Sequence, residues 1–154
     1  MSCAPFVQTP VEVAKKMIQL ADLKSGQTLF DLGAGDGRLV ILTAQETEAS
    51  AVGVEMRDDL IERARSEIKK LSLENRIRMI HDDFSNVDLG EADAVTLYLT
   101  TSGNERLRPK LERELKKGAK VISHDFKVGN WKPTVVCNEL LGHTIYSYEV
   151  GAQL

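Results

Sequence analysis

Apolar residues recur along this chain at two alternating periods, and the alternation predicts helices and strands in turn. Val11, Ala14, Met17, Ile18 and Ala21 follow helical spacing. They lie behind Thr9-Pro10-Val11-Glu12, which has the form of a capping box with proline at the first helical position, and Ser25-Gly26 ends the element. Short apolar strands are predicted over residues 28–32, 51–55, 76–81, 94–99 and 119–124. Helices are predicted over 38–47, 58–71 and 105–117, the last with Leu107, Leu111 and Leu115 on one face and Gly118 as its stop. The span between the third and fourth strands is too short and polar for a full crossover helix. Residues 134–141 and 143–150 flank Gly142 and suit an antiparallel hairpin. This order predicts an α/β fold: a Rossmann-like sheet of seven strands, mostly parallel, with helices on both faces and a C-terminal antiparallel hairpin.

At 154 residues the chain is expected to form a single domain, 1–154, with residues 1–26 covering the entrance to whatever the sheet binds. A composition of 42% hydrophobic and 28% charged residues excludes a disordered or fibrous chain. Twenty basic residues, spread rather than clustered, against 23 acidic ones give a net charge of −3, which argues against direct binding of nucleic acid. The two cysteines, Cys3 and Cys137, form neither a disulfide framework nor a metal spacing, and fit a reducing compartment. The longest apolar run, 94–99, is far below the ~20 residues of a membrane span. With no signal-peptide pattern at the amino terminus, a cytoplasmic protein without membrane contact is expected.

The segment with most chemical content is Leu29-Phe-Asp-Leu-Gly-Ala-Gly-Asp-Gly-Arg38, an apolar strand running into three alternate glycines and then a helix. Glycines at 33, 35 and 37 allow positive φ and let a ligand lie against bare backbone. The dinucleotide pattern G-x-G-x-x-G fails, because its last position falls on Arg38 or Val40. Asp31 and Asp36 make this loop acidic, which suits a ligand carrying an ammonium or sulfonium charge and suits phosphate badly. Glu55 ends the second strand, where an acid can accept hydrogen bonds from ribose hydroxyls. Asp83 and Phe84 follow the third strand, an acceptor for an exocyclic amine and a ring to lie on adenine. Singly, each feature also reads as an ordinary turn or a solvated strand end; together and in order they describe S-adenosyl-L-methionine.

The sequence resembles the class I S-adenosylmethionine-dependent methyltransferases through Asp-Leu-Gly-Ala-Gly-Asp-Gly (31–37), Gly-Val-Glu (53–55) and Asp-Asp-Phe (82–84). With Thr9-Pro10, Tyr98-Leu99, the 107–115 segment, Val-Ile-Ser-His-Asp-Phe (121–126) and Trp131-Lys-Pro133, it is similar to the small archaeal broad-specificity protein-lysine methyltransferases. A more distant similarity is to the mitochondrial lysine methyltransferases of the adenine-nucleotide-translocase and ATP-synthase-c type, whose membrane-anchoring segment has no counterpart in this sequence. The resemblance implies methylation of lysine side chains on proteins, basic DNA-binding proteins among them, by a monomer that releases S-adenosyl-L-homocysteine. It implies a cofactor site of Thr9, Asp31, Gly33, Ala34, Gly35, Asp36, Gly37, Glu55, Met56, Asp83, Phe84 and Leu99. Ala34 departs from the cysteine or serine common at that position, and Asp125 and Asn130 fall where relatives vary. RNA or small-molecule amines as acceptors, and a non-catalytic cofactor-binding module, are the alternative readings.

Methyl transfer to an amine is an in-line displacement, so the protein must chiefly position the reactants. Tyr98, Thr100, Asp125 and Phe126 are expected to line the substrate channel without an obligatory general base; Phe6, Val7 and Trp131 are further candidates. His124-Asp125 has the composition of a catalytic pair, but neighbours on a strand face opposite ways. No metal site is expected, since the run His81-Asp82-Asp83 is poor ligand spacing.

Overall fold

The computed structural model describes residues 7–154, so Cys3 and Phe6 lie outside the described residues. Among these residues are four α-helices, seven strands and one 3-10 turn: α1 (Val11–Ala21), β1 (Thr28–Leu32), α2 (Arg38–Glu46), β2 (Ser50–Glu55), α3 (Asp58–Lys70), β3 (Ile77–His81), the turn Phe84–Asn86, β4 (Ala94–Leu97), α4 (Thr101–Glu114), β5 (Lys120–His124), β6 (Val135–Leu140) and β7 (His143–Glu149). They form one sheet in the order β3-β2-β1-β4-β5-β7-β6. The first five strands are parallel, and β7 runs antiparallel between β5 and β6. The seven-stranded Rossmann-like sheet with its C-terminal hairpin is therefore the architecture that the alternating pattern predicts.

Strand alternation divides the core between two faces. On one, α1 packs against Leu29, Ala94, Ile122 and Ile145, while α2 and α3 cover Ala51, Ile77 and Met79. On the other, Leu107 and Leu111 of α4, with Val87, Leu89, Val128 and Trp131 from loops, cover Phe30, Val52, Val95, Val121 and Tyr148. Trp131 is 3% exposed, meets Tyr148 edge-on at 5.7 Å and donates its Nε1–H to Glu112 at 3.0 Å. It is a core residue and does not line a channel.

Two local differences from the predicted elements, before α1 and between β4 and α4, have physical causes. The capping box at Thr9 does not form: Pro10 occupies the N-cap of α1 without a side-chain cap, and the Thr9 hydroxyl instead faces His124 on β5 at 3.3 Å. Helix α4 begins four residues before the predicted start, and β4 stops at Leu97. Thr100 caps α4 by accepting the Gly103 N–H at 3.0 Å. Asn104 is fully buried in its first turn, and its Nδ2 donates to Ser123 Oγ and to the carbonyls of Phe126 and Lys127. A polar Thr-Thr-Ser-Gly-Asn run reads as loop until those partners are present. The hairpin turn puts both Leu141 (φ 54°) and Gly142 (φ 79°) in the left-handed region, the geometry whose twist suits a two-residue connection.

Gly53 lies in β2 beside Asp31. A Cβ there would come within 2.5 Å of Met79 Sδ and 2.9 Å of Ala34 Cβ in the glycine loop. Gly53→Ala is expected to lower the urea unfolding free energy by about 1–3 kcal/mol; a variant as stable as the parent would contradict this packing.

Candidate functional site

Strand order reverses at β1, whose neighbours are β2 on one side and β4 on the other, and the crevice beyond their carboxyl ends is where such sheets bind ligands. The glycine loop lies in this crevice. Gly33 (φ 81°), Gly35 (φ 61°) and Gly37 (φ 85°) all occupy the left-handed region, so the loop cannot take ordinary side chains there without strain. The Gly33 and Ala34 N–H groups both donate to Val54 O, at 2.8 and 2.9 Å. Glu55 completes the loop: its Oε1 accepts the Gly35 N–H at 2.8 Å, and its Oε2 accepts those of Met56 and Arg57 at 3.0 Å. A carboxylate has about four acceptor positions, so Glu55 both clamps the loop and keeps capacity for a hydroxyl.

The two loop acids stand in opposite electrostatic conditions. Asp36 has Arg38 and Arg63 at 3.8 Å and the Gln8 amide at 3.4 Å. Asp31 is 7% exposed and hydrogen-bonded to the Thr96 hydroxyl at 2.8 Å, and among the described residues no cation pairs with it. Burial pushes its carboxyl up to about 7, partly offset by the Thr96 hydroxyl and reinforced by the Glu55 charge. Asp31 is therefore the group that a cationic ligand would satisfy.

Beside β3, Asp83 accepts the Ser85 N–H at 3.1 Å and borders an open cleft of about 410 Å³ shared with Phe84, Arg106 and Lys110. Phe84 packs against the core, and the Arg106 guanidinium lies 5.7 Å from its ring centroid. Met56 is exposed, and Leu99 lies 3.4 Å from where a Cβ on Gly33 would be. Thr9 reaches the same region through its carbonyl, which accepts from Arg38 at 3.3 Å, and through its hydroxyl on His124.

Beyond the carboxyl ends of β4 and β5 the sheet brings Tyr98 and Asp125 together around a residue whose role the sequence left open. The Tyr98 ring stacks on His124, with centroids 3.8 Å apart and planes at 28°. Burial, then the Asp125 charge, raises the Tyr98 phenol above its ordinary range. His124 is fully buried, and desolvation depresses it to about 4, so its ring is neutral at pH 7. Burial alone would raise the Asp125 carboxyl, but the Thr144 N–H and the neighbouring imidazoles carry it below its ordinary value. His143, from β7, completes the cluster at 3.0 Å from Asp125 Oδ2 and 2.8 Å from His124 Nε2. Sequence reasoning missed His143 because only the β5–β7 register, which pairs His124 with Ile145, brings it here. Phe126 is half-buried and held by Asn104 through its carbonyl, and Thr100 is exposed at the α4 cap.

Residues 31–135 match the family described as the ANTKMT methyltransferase domain. A protein-lysine N-methyltransferase of Saccharolobus islandicus (strain REY15A) is 39% identical over 96% of this chain and 94% of its own length. An adenine nucleotide translocase lysine N-methyltransferase of Mus musculus is 28% identical over 95% of this chain, which spans 63% of that protein. A crystal structure described as an RNA methyltransferase from Salinibacter ruber, in complex with S-adenosyl-L-homocysteine, superposes with a TM-score of 0.90 and 40% identity over 94% of each chain. With a Rossmann-like sheet, an acidic glycine loop at its switch point, a family match over residues 31–135 and a relative 39% identical over 96% of it, the chain belongs to the methyltransferase family of the ANTKMT domain.

Proposed function

We propose that this protein transfers the methyl group of S-adenosyl-L-methionine to lysine side-chain amines of proteins. The observation that carries the cofactor half is Asp31, a buried carboxyl with no paired cation among the described residues, next to a loop of bare backbone. The lysine half is supported by the Saccharolobus and Mus musculus relatives, whose names specify lysine.

In this reading the cofactor supplies a methyl group on a positively charged sulfur. Asp31 meets its ammonium group, Glu55 its ribose, Asp83 its purine amine, and Gly33 to Gly37 lie along its amino-acid end. Thr9, Ala34, Asp36, Met56, Phe84 and Leu99 frame the same pocket. Tyr98, Thr100, Asp125 and Phe126 guide the acceptor. Tyr98 is fixed by its stack on His124 and so gives the channel a rigid wall. Only the neutral amine is nucleophilic, and lysine begins at a pKa of ~10.4. Desolvation in the channel and the nearby sulfonium lower that value, so no residue need act as an obligatory base. The transfer needs no metal. The acceptors are proteins with exposed lysines, basic DNA-binding proteins among them, and the enzyme acts as a cytoplasmic monomer.

Two measurements test this reading. Intact mass and peptide mapping of an unmethylated lysine-rich basic protein, incubated with enzyme and cofactor in chelator, are expected to show methyl increments on lysines, at rates that rise steadily from pH 7 to pH 9. Increments on RNA alone, or none despite cofactor binding, would overturn the acceptor assignment. Calorimetry is expected to show cofactor affinity rising by up to tenfold per pH unit from pH 5 towards 7, because the ammonium selects the ionised form of a carboxyl that titrates near 7. Asp31→Asn is expected to bind weakly and without that slope; a variant with the parent's affinity and slope would contradict the assignment.

A further inference from the structure

The cluster beside Tyr98 holds more ligating capacity than methyl transfer uses. His124 Nε2, Asp125 Oδ2 and His143 Nδ1 form a triangle with sides of 2.8, 3.0 and 3.4 Å. A zinc-class ion with bonds of about 2.0–2.2 Å holds its donors about 3.0–3.5 Å apart, the same scale. We propose that these three atoms form a binding site for one divalent transition-metal ion of the zinc class, and that the bound ion blocks the acceptor channel. The second half of this proposal rests on the lysine reading above; the first does not.

The set of facing acceptor atoms favours a cation here. His124 Nδ1 faces the Thr9 hydroxyl at 3.3 Å, which can accept from it; in that tautomer the Nε2 lone pair turns into the triangle. The Asp125 carboxylate turns a second acceptor inward. His143 Nδ1 lies within hydrogen-bond distance of both, 2.8 Å from His124 Nε2 and 3.0 Å from Asp125 Oδ2. A dication would displace whatever proton bridges these atoms and engage all three lone pairs at once.

The backbone is shaped to bring the donors together. Adjacent residues of an extended strand face opposite sides of a sheet, which by itself would separate His124 from Asp125. Asp125 leaves the strand in the left-handed conformation (φ 67°), unusual for a residue with a side chain. That turn carries its carboxylate back towards β7. Two further bonds hold it there: Asp125 N–H to Thr144 O at 2.7 Å and Thr144 N–H to Asp125 Oδ1 at 3.0 Å. With Thr9 on the far nitrogen of His124 and Thr144 on the far oxygen of Asp125, two of the three donors are oriented from behind, as ligands of transition metals are.

Two imidazoles and one carboxylate suit zinc, cobalt or nickel and suit magnesium or calcium poorly. Asp125 and His143 each keep over a quarter of their side-chain surface exposed, leaving the ion a route in and an open coordination position. The bound ion would occupy the Asp125 carboxylate and set positive charge where a lysine ammonium must enter. It would therefore act as an inhibitor.

The test uses the full chain, stripped of metal by chelator. Zinc titrated by calorimetry is expected to bind at one ion per chain with a dissociation constant at or below the micromolar range. Cobalt is expected to give visible absorption bands that zinc abolishes. His143→Ala and Asp125→Asn should each weaken zinc binding at least tenfold while retaining the parent's circular dichroism and cofactor binding. No saturable binding, or binding that both variants leave intact, would overturn the site. Zinc should also slow methyl transfer to the basic protein, with full recovery in excess chelator; transfer unaffected at saturating zinc would overturn the inhibitory role and leave the site standing. A chain that transfers no methyl to lysine in any condition would instead count against the acceptor reading.

Discussion

A carboxyl group buried in the central strand of the sheet, with no counter-ion among the described residues, is the condition on which the rest of the site depends. Asp31 lies between Gly53 and Thr96 in the register of the central strands, and the Thr96 hydroxyl is its side-chain hydrogen bond. An ordinary aspartate ionises near 4; this one is held up to about 7. The raised value leaves the ligand-free fold most stable below the unfolded-state pKa, and stability falls as pH rises towards and through about 7. The loss, complete above that point, is on the order of 4 kcal/mol. In the proposed reading a ligand ammonium placed beside Asp31 would remove that penalty, so that cofactor binding and folding stability would draw on one group.

The surrounding structure keeps other cations from doing so first. Arg38 and Arg63 are near enough to Asp36 to balance it at the loop surface, and Arg38 also holds the carbonyl of Thr9. The segment before α1 thereby crosses from the glycine loop to β5, where the Thr9 hydroxyl meets His124. Glycine loop, leading segment and β5 are joined through this one residue. Asn104 fixes the other side by tying the first turn of α4 to the backbone after β5.

Much of this was legible in the sequence. The strand-then-glycines segment at 29–38, the acids at strand ends and the alternating periods identify both the sheet and the position of its crevice. What escaped was what depends on long-range partners. Thr9 has the residue types of a capping box, yet its hydroxyl goes to a strand 115 positions away. The first turn of α4 contains Ser102, Gly103 and Asn104, a run that looks like loop because its buried hydrogen bonds lie on another element. His143 joined the cluster only through an antiparallel register that local pattern does not specify, and the turn at Asp125 reversed the side that alternation assigns it. Trp131 gave no local sign of whether it would line a channel or fill the core; Tyr148 and Glu112 decided that.

The direct test of the central claim is the titration of the Asp31 side-chain carboxyl, followed by carbon NMR on protein labelled at aspartate and assigned with Asp31→Asn. In the free protein the midpoint should lie near 7, far above the other aspartates, and saturating S-adenosyl-L-methionine should lower it. A free-protein midpoint near 4, or one near 7 that the cofactor leaves unmoved, would contradict the account.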